Sequence, residues 1–319
     1  MTFIAYYLHR LDPVILKLTD SFQFRWYGLS YVAAFLAGYL LLRWWARRGI
    51  GELKESQVAD FLTYAALFGV LLGGRLGYML FYDAKNFFAN PVSFFYVTDG
   101  GMSSHGGIAG LFFFTLYWAR TRKQSWTGLG DNLVAAAPPG FFFGRIANFI
   151  NGELYGRPAE VSWAMKFPEE ATTWGPGDDR WDALQAMLVD RVPEGASVPE
   201  TIKHLARTDD AFAAQLSELL TPRHPSQLYA AVLEGLLLFV ILFIVRQKWP
   251  RAPHGLLTAL FFLLYAVFRF TDEVFREPGG YIMGLTEGQF YSVLMIVPGV
   301  AFLIFALRQA PRREREPMP

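Results

Sequence analysis

An all-α polytopic membrane protein is the fold predicted for this chain of 319 residues: seven transmembrane helices, with an external polar insertion between helices 4 and 5. Three observations predict it. The composition is 53% hydrophobic and 17% aromatic with only 18% charged residues, too apolar for an ordinary soluble domain. Apolar runs near spanning length recur along the chain, and Arg/Lys clusters follow every second one. The mean hydropathy of +0.24 is modest. Polar residues 158–223 account for that, and the remainder is mostly spans.

Cysteine is absent from the sequence, which excludes disulfides, a thiol nucleophile and a cysteine metal site. Any sulfur chemistry must therefore use a substrate's sulfur. Met1–Leu11 has no basic region followed by an apolar core and a small-residue cleavage site, so no cleavable signal peptide is expected.

Residues 1–24 mix Tyr6, Tyr7, Leu8, Ile15, Leu16 and Leu18 with Arg10, Asp12 and Lys17, which predicts an interfacial amphipathic segment. Residues 25–157 hold spans one to four. The first, 27–45, ends in Trp44, Trp45, Arg47 and Arg48, an aromatic belt followed by cations. A second, 61–82, carries Gly73, Gly74, Arg75 and Gly77, and a loop with Asn90-Pro91 and Asp99-Gly100-Gly101 follows it. The third, 105–118, leads into Arg120, Arg122 and Lys123 and falls short of the ~17 residues a span needs. His105-Gly106-Gly107 is therefore expected to be non-helical backbone lining a cavity. In the fourth, 133–150, Pro138-Pro139 predicts a kink or break. The insertion, 158–223, places Phe212, Leu216, Leu219 and Leu220 at helical spacing behind Gly175, Pro176, Gly177 and Pro193, and reads as a small surface subdomain. Residues 224–308 carry the last three spans: 225–245, followed by Arg246, Lys248 and Arg251; 256–275; and 290–307, followed by Arg308, Arg312, Arg313 and Arg315. The last of these clusters extends into a cytoplasmic tail, 309–319. No internal repeat of the transporter kind is present.

Clusters after spans one, three, five and seven share one side, which the positive-inside rule makes cytoplasmic. The N-terminus and the insertion are then external, and the C-terminus is internal. Arg10, Lys17 and Arg25 argue the other way and are outweighed by four clusters.

The polar residues inside this apolar frame fall on its external half. Gly144–Arg157 reads GRIANFINGELYGR; on a helix, Arg145, Asn148, Phe149 and Gly152 share about one third of the circumference. An Arg in an apolar segment costs at least ~2.5 kcal/mol, so it normally faces a cavity or an anion. Snorkelling by Arg145, with Asn148 and Asn151 capping the helix, is the structural alternative. Tyr27, Arg75, His105, His224, Gln227 and Tyr229 lie on the same half. Span six adds Tyr265, Arg269, Glu273 and Arg276, whose offsets confine them to about 80° of the helix. Arg269–Glu273 and Glu273–Arg276 are at salt-bridging separations. Glu153, Glu234 and Glu273 balance these guanidiniums incompletely, and a phosphate suits the bidentate geometry of Arg. An internal ion-pair network remains the other reading. A phospholipid head group would imply an enzyme, and a soluble anion a transporter or receptor.

Gly144-Arg145-x-Ala147-Asn148-Phe149-Ile150-Asn151-x-Glu153-x-x-Gly156 resembles the signature of the prolipoprotein diacylglyceryl transferases. Further motifs are similar to that family's: Arg25-Trp26-Tyr27-Gly28, Gly73-Gly74-Arg75-x-Gly77-Tyr78, Ser104-His105-Gly106-Gly107, His224-Pro225-Ser226-Gln227-Leu228-Tyr229, the span-six residues through Pro278, and Gly288-Gln289. They extend from residue 25 to about 290; the first twenty residues, the cationic tail and much of 160–220 match none.

The resemblance implies a multi-pass enzyme of the bacterial cytoplasmic (inner) membrane. It would transfer the diacylglyceryl group of phosphatidylglycerol to the lipobox Cys thiol of a prolipoprotein signal peptide. A thioether forms and glycerol phosphate leaves, with the lipid bilayer as setting and with no cofactor, metal or nucleic acid. His105, on a Gly-flanked turn, would take the thiol proton, which is mostly retained by a free thiol at neutral pH. Arg145 and Arg269 would hold the phosphate and stabilise developing charge. Asn148, Glu153 and Tyr27 would orient the head group or the cations, and Arg75, Gly156, Tyr265, Glu273 and Arg276 would complete the binding set. Glu273 as base or as positioner stays open, and an organic-anion transporter or receptor is the alternative function.

Overall fold

The protein is described from a computed structural model covering residues 6–19, 23–96 and 100–313, with side chains to residue 309. Asp99, the side chains of Arg312 and Arg313, and Arg315 with the rest of the tail lie outside the described residues.

Helices dominate. In chain order they include α1 (Trp26–Arg47), α2 (Glu55–Phe81), α3 (Ser104–Arg122), α4 (Trp126–Ala136) and α5 (Pro138–Asn151). Then come α6 (Trp181–Leu188), α7 (Val198–Thr208), α8 (Asp210–Leu219), α9 (Ser226–Lys248), α10 (Leu256–Phe275) and α11 (Glu287–Arg313). Among the described residues five stretches are long and apolar enough to cross a membrane: α1, α2, α4 with α5, α9, and α11 up to Gln309. The other two expected spans are helices of 19 and 20 residues with more polar content, His105, Arg120 and Arg122 in α3 and Arg269, Asp272 and Glu273 in α10. The expected break at the proline pair is present, because α4 stops at Ala136 and α5 restarts at Pro138.

The chain forms two compact units. The first comprises Met1–Ala34, Pro138–Leu238 and Leu264–Ile296; the second comprises Phe35–Ala137, Phe239–Leu263 and Val297–Pro319.

In the second unit, Leu42, Trp45, Val58, Phe61, Trp118, Leu129 and Leu257 form a core. Helices α2 and α3 meet through glycines spaced four apart. A Cβ on Gly77 would lie 2.5 Å from Gly106 Cα, and one on Gly110 would lie 2.2 Å from Gly69 O. Such small-residue seams let backbones approach where lipid supplies no hydrophobic drive. This corrects the expectation for His105-Gly106-Gly107, which are helical: Ser103 Oγ caps the helix by accepting Gly106 N at 3.2 Å, and Gly106 serves the seam. The start of α10 is capped by buried Asp131, whose Oδ1 accepts Thr258 N and Oγ1 and whose Oδ2 accepts Gly255 N, all at 2.8 Å.

In the first unit, the described part of the N-terminal segment carries short strands. β1 (Tyr7–Leu8) pairs in parallel with β4 (Met165–Lys166), and β2 (Val14–Lys17) pairs antiparallel with β3 (Gln23–Arg25). A further hairpin, β5 (Tyr281–Ile282) with β6 (Leu285–Thr286), means that the fold is not purely helical. The β1–β4 pair joins segments more than 150 residues apart, a pairing invisible in local hydropathy.

Residues 158–223 carry α6, α7 and α8 around Trp174, Leu184, Ile202, Phe212 and Leu216. Glu170, 2% exposed, ties the insertion together by pairing with Arg180 at 2.9 Å and Arg223 at 3.2 Å and accepting Thr221 N. Replacing it by Gln leaves two guanidiniums facing a neutral amide, and breaking a buried pair costs about 3–5 kcal/mol. Hydrogen exchange of α6–α8 amides should accelerate accordingly in Glu170→Gln, and unchanged protection would contradict this role.

His9, 4% exposed, lies between Phe149 and Phe167 with ring centroids 5.2 and 5.4 Å away. Burial pushes its imidazole down to about 4 from an ordinary 6.5. Between those values the unfolded chain binds more protons than the folded one, so stability rises with pH across the window. It is fully present above 6.5 and lost as pH falls toward 4. Limited proteolysis of the β1–β4 region should therefore quicken from pH 6.5 to 4 in the native protein and stay flat in His9→Leu.

Candidate functional site

Helix α5 ends in a turn that only a left-handed backbone can make. Gly152 has φ +74° and Leu154 +57°, while Gly152 N donates to Phe149 O and Glu153 N to Asn148 O. The turn brings Glu153 back over the helix end. Its Oε1 accepts Asn148 Nδ2 at 2.7 Å and Asn151 Nδ2 at 3.5 Å, and its carbonyl accepts Gln227 Nε2 at 2.6 Å. The two carboxamides therefore bond Glu153 side on. Gly156 follows where three segments meet: its N donates to His224 O at 2.8 Å, and a Cβ there would lie 2.4 Å from Phe275 O. Beside it, His224 Nδ1 is 3.1 Å from Tyr229 Oη, and burial lowers its imidazole below the ordinary value, favouring the neutral ring.

Arg145, two turns before the end of α5, reaches Glu234 of α9. Its Nε and Nη2 donate to Glu234 Oε2 at 3.3 and 3.0 Å. Glu234 sits in a π-helical turn, Ala231–Leu237, a rare geometry that often marks functional positions. The neighbouring Gly235 lets α9 approach Phe142 Cα, which a Cβ would meet at 2.7 Å. Glu234 Oε1 in turn accepts Arg269 Nη1 at 3.4 Å, so one carboxylate bridges two guanidiniums. Arg269 also donates to Asp272 Oδ2 at 3.2 Å and pairs with Glu273 Oε2 at 2.8 Å, the latter out of hydrogen-bond alignment. Gly288 makes room for that carboxylate, since a Cβ there would lie 2.3 Å from Glu273 Oε2.

Burial gives this cluster a direction. The carboxylates are almost fully enclosed, with Glu234, Asp272 and Glu273 side chains 1%, 0% and 4% exposed, whereas those of Arg145 and Arg269 are 20% and 16% exposed. Carboxylates behind thus orient guanidiniums in front. The spacing argument passed over Asp272 and so undercounted the acids. The three-residue offset from Arg269 was a signal that could have found it.

The remaining candidates fall in different places. Tyr265 packs on Phe141 with centroids 5.5 Å apart. Arg276 forms no ion pair with Glu273 among the described residues; its carbonyl accepts Arg157 Nε. Tyr27 is exposed in the first turn of α1, its ring 5.5 Å from that of Tyr31. Arg75 and His105 belong to the second unit. Buried Arg75 donates to the carbonyls of Ser93, Phe94, Tyr96, Gly100 and Gly101, holding the loop that precedes α3, and His105 is exposed in the first turn of α3. No cluster of His, Cys, Asp and Glu able to hold a metal occurs among the described residues.

Comparison with known proteins gives a concordant result. Residues 13–305 match the family model of prolipoprotein diacylglyceryl transferases. Proteins called phosphatidylglycerol–prolipoprotein diacylglyceryl transferase are similar over nearly their full length. The one from Bdellovibrio bacteriovorus is 40% identical, covering 95% of both chains; that from Idiomarina loihiensis is 37% identical, covering 94% of this chain and 95% of its own. Another, from Rhodospirillum rubrum, is 38% identical over 94% of each.

Proposed function

This chain belongs to the prolipoprotein diacylglyceryl transferase family, and from that premise we propose that it moves the diacylglyceryl group of phosphatidylglycerol onto the lipobox cysteine of prolipoproteins. The sulfur attacks the glycerol carbon, the S–C bond forms as the C–O bond to phosphorus breaks, and the electron pair leaves on the oxygen of glycerol phosphate. The thiol proton passes to a base, for which His105 is our assignment.

The observation that carries the assignment of the phosphate site is the pair Arg145 and Arg269, bridged by buried Glu234 and each less buried than that carboxylate. Cations held by a fixed carboxylate need no reorganisation when charge develops on the leaving phosphate. Asn148 and Glu153 shape the end of α5 beside them, Gly156 closes the turn, and Asp272 and Glu273 position Arg269. Tyr27, Tyr265 and Arg276 are assigned to the head group or its acyl-bearing glycerol. Arg75 acts by holding the loop before His105.

The decisive assay gives purified protein phosphatidylglycerol vesicles and a lipobox peptide. Peptide mass should rise by one diacylglyceryl group with equimolar release of glycerol phosphate. Tight anion binding without lipid consumption would favour a transporter or receptor instead.

Seven spans with the N-terminus periplasmic and the C-terminus cytoplasmic complete the proposal, supported by the cationic ends of α1, α3 and α9. Cysteines at exposed positions test it against a cysteine-free background. Arg48→Cys, Lys123→Cys and Lys248→Cys should resist an impermeant thiol reagent in intact cells, and Glu194→Cys should react. External labelling at position 248 would reverse the topology.

A further inference from the structure

A second cluster of polar residues, confined to the second unit, has no part in the reading above. A cavity of about 160 Å³ is lined by Gly49, Gly51, Glu52, Arg246, Arg251 and His254, among others. Arg246 comes from the last turn of α9 and is 4% exposed. Its Nη2 donates to Asn132 Oδ1, but its Nε has no acceptor among the described residues.

The nearby acids are engaged elsewhere. Asp131 takes the backbone of Gly255 and both donors of Thr258, as described above. Glu52 accepts Ser125 N at 3.1 Å through Oε2 and pairs with His254 Nε2 at 2.9 Å through Oε1. Both still attract Arg246 through space, and its Nη2 is held by the neutral Asn132. What the guanidinium lacks is an acceptor for Nε, and a buried donor left without one is costly.

Backbone packs directly against the guanidinium. Gly51 has φ +92°, and a Cβ there would lie 2.4 Å from Arg246 Nη2 and 2.2 Å from Asn132 Oδ1. The chain thus keeps a glycine against the guanidinium, a polar cavity in front of it, and a second, exposed cation, Arg251, at the rim. A small anion with several acceptor oxygens satisfies these features together, because Arg binds tetrahedral oxyanions through more than one N–H.

We propose that this cavity is a binding site for a phosphate-class oxyanion, with Arg246 as its central donor and Arg251 at its mouth. The anion joins three segments of the second unit: the turn after α1, the start of α4, and the connection between α9 and α10. It shares no residue with the Arg145–Arg269 cluster. Two sources carry this chemistry, a phospholipid head group and a free phosphate.

Thermal unfolding of the full-length protein tests the site and separates the sources. One arm adds inorganic phosphate to detergent-solubilised protein at constant ionic strength. The other compares vesicles of zwitterionic lipid with and without phosphatidic acid. At about ten times Kd the midpoint should rise by about 2–4 °C in one arm or both. A rise with inorganic phosphate identifies a soluble ligand; a rise with phosphatidic acid alone identifies a head group. In an Arg145→Lys background, which removes the contribution of the Arg145–Arg269 site, the rise should persist, and adding Arg246→Gln should abolish it. If Arg246→Gln does not accumulate, Arg246→Lys keeps the charge and should weaken the response at least tenfold in ligand concentration. No shift in the native protein, an equal response in the Arg246 variant, or loss of the response in Arg145→Lys would overturn the proposal.

Discussion

Arg145→Lys is expected to lower kcat/KM for diacylglyceryl transfer by about 10²–10³-fold, the range typical for loss of one preorganised donor to a developing charge. The protein should still insert and accumulate. A lysine keeps the charge and the pairing with Glu234, which native Arg145 makes through Nε and Nη2. What it loses is the planar fork that can bond a carboxylate on one edge and a phosphate on another. Arg269→Lys should behave alike, since Arg269 already serves Glu234, Asp272 and Glu273. A purely structural ion-pair network makes a different prediction, and a double-mutant cycle with Glu234→Gln exposes it. If Arg145 existed only to neutralise Glu234, removing both charges (Arg145→Gln with Glu234→Gln) would restore stability and activity together. For a phosphate ligand, stability recovers and activity does not. Arg75→Lys supplies the contrast: it loses several carbonyl contacts that hold the 93–101 loop, so its cost should appear in accumulation more than in turnover per molecule.

How far the sequence foretold this arrangement depended on the range of the interactions involved. Hydropathy is local, and α10 falls on the expected 256–275. The proline break between α4 and α5 is equally local. Readings that needed a distant partner failed. His105-Gly106-Gly107 was expected outside the helix because the apolar run looked too short, and the sequence does not show Gly73 and Gly77 lying against Gly106. Nor does the sequence show that Tyr7–Leu8 pairs with Met165–Lys166, more than 150 positions away.

The candidate site divides in the same way. Arg145, Arg269 and Glu273 stood out because charge inside an apolar run is costly and needs a reason. Glu234 was visible only as one acid among several; the π turn and the Arg145–Glu234–Arg269 bridge give it its place. Asp272 was hidden by a helical-wheel argument that followed offsets of four, eight and eleven from Tyr265 and skipped seven. Arg75 resembled a ligand for an anion, whereas five backbone carbonyls account for its donors.

Replacing His105 by Gln should lower the rate at pH 7 by about 10²-fold or more if the imidazole removes the thiol proton. Gln keeps much of the size and hydrogen bonding at the first turn of α3, where Ser103 caps the helix independently of residue 105. The helix and its glycine seam should therefore survive, and the loss can be assigned to chemistry. The pH dependence then separates a base from a positioner. Without an internal base the variant relies on thiolate formed in solution, so its rate should climb about tenfold per pH unit toward the thiol pKa near ~8.5. Native protein should level off once the imidazole is neutral, and the two profiles should converge at high pH. Single-turnover measurements with the same lipobox peptide and phosphatidylglycerol vesicles would trace both curves. Parallel profiles would mean that residue 105 only shapes the entrance to α3. The proton would then have to leave by way of Glu273, whose Oε2 lies buried without a hydrogen-bond donor, or through the departing phosphate itself. Glu273→Gln in the same assay would choose between them: an amide there removes the acceptor, whereas proton transfer from the peptide thiol to the departing phosphate would leave the slope with pH unchanged.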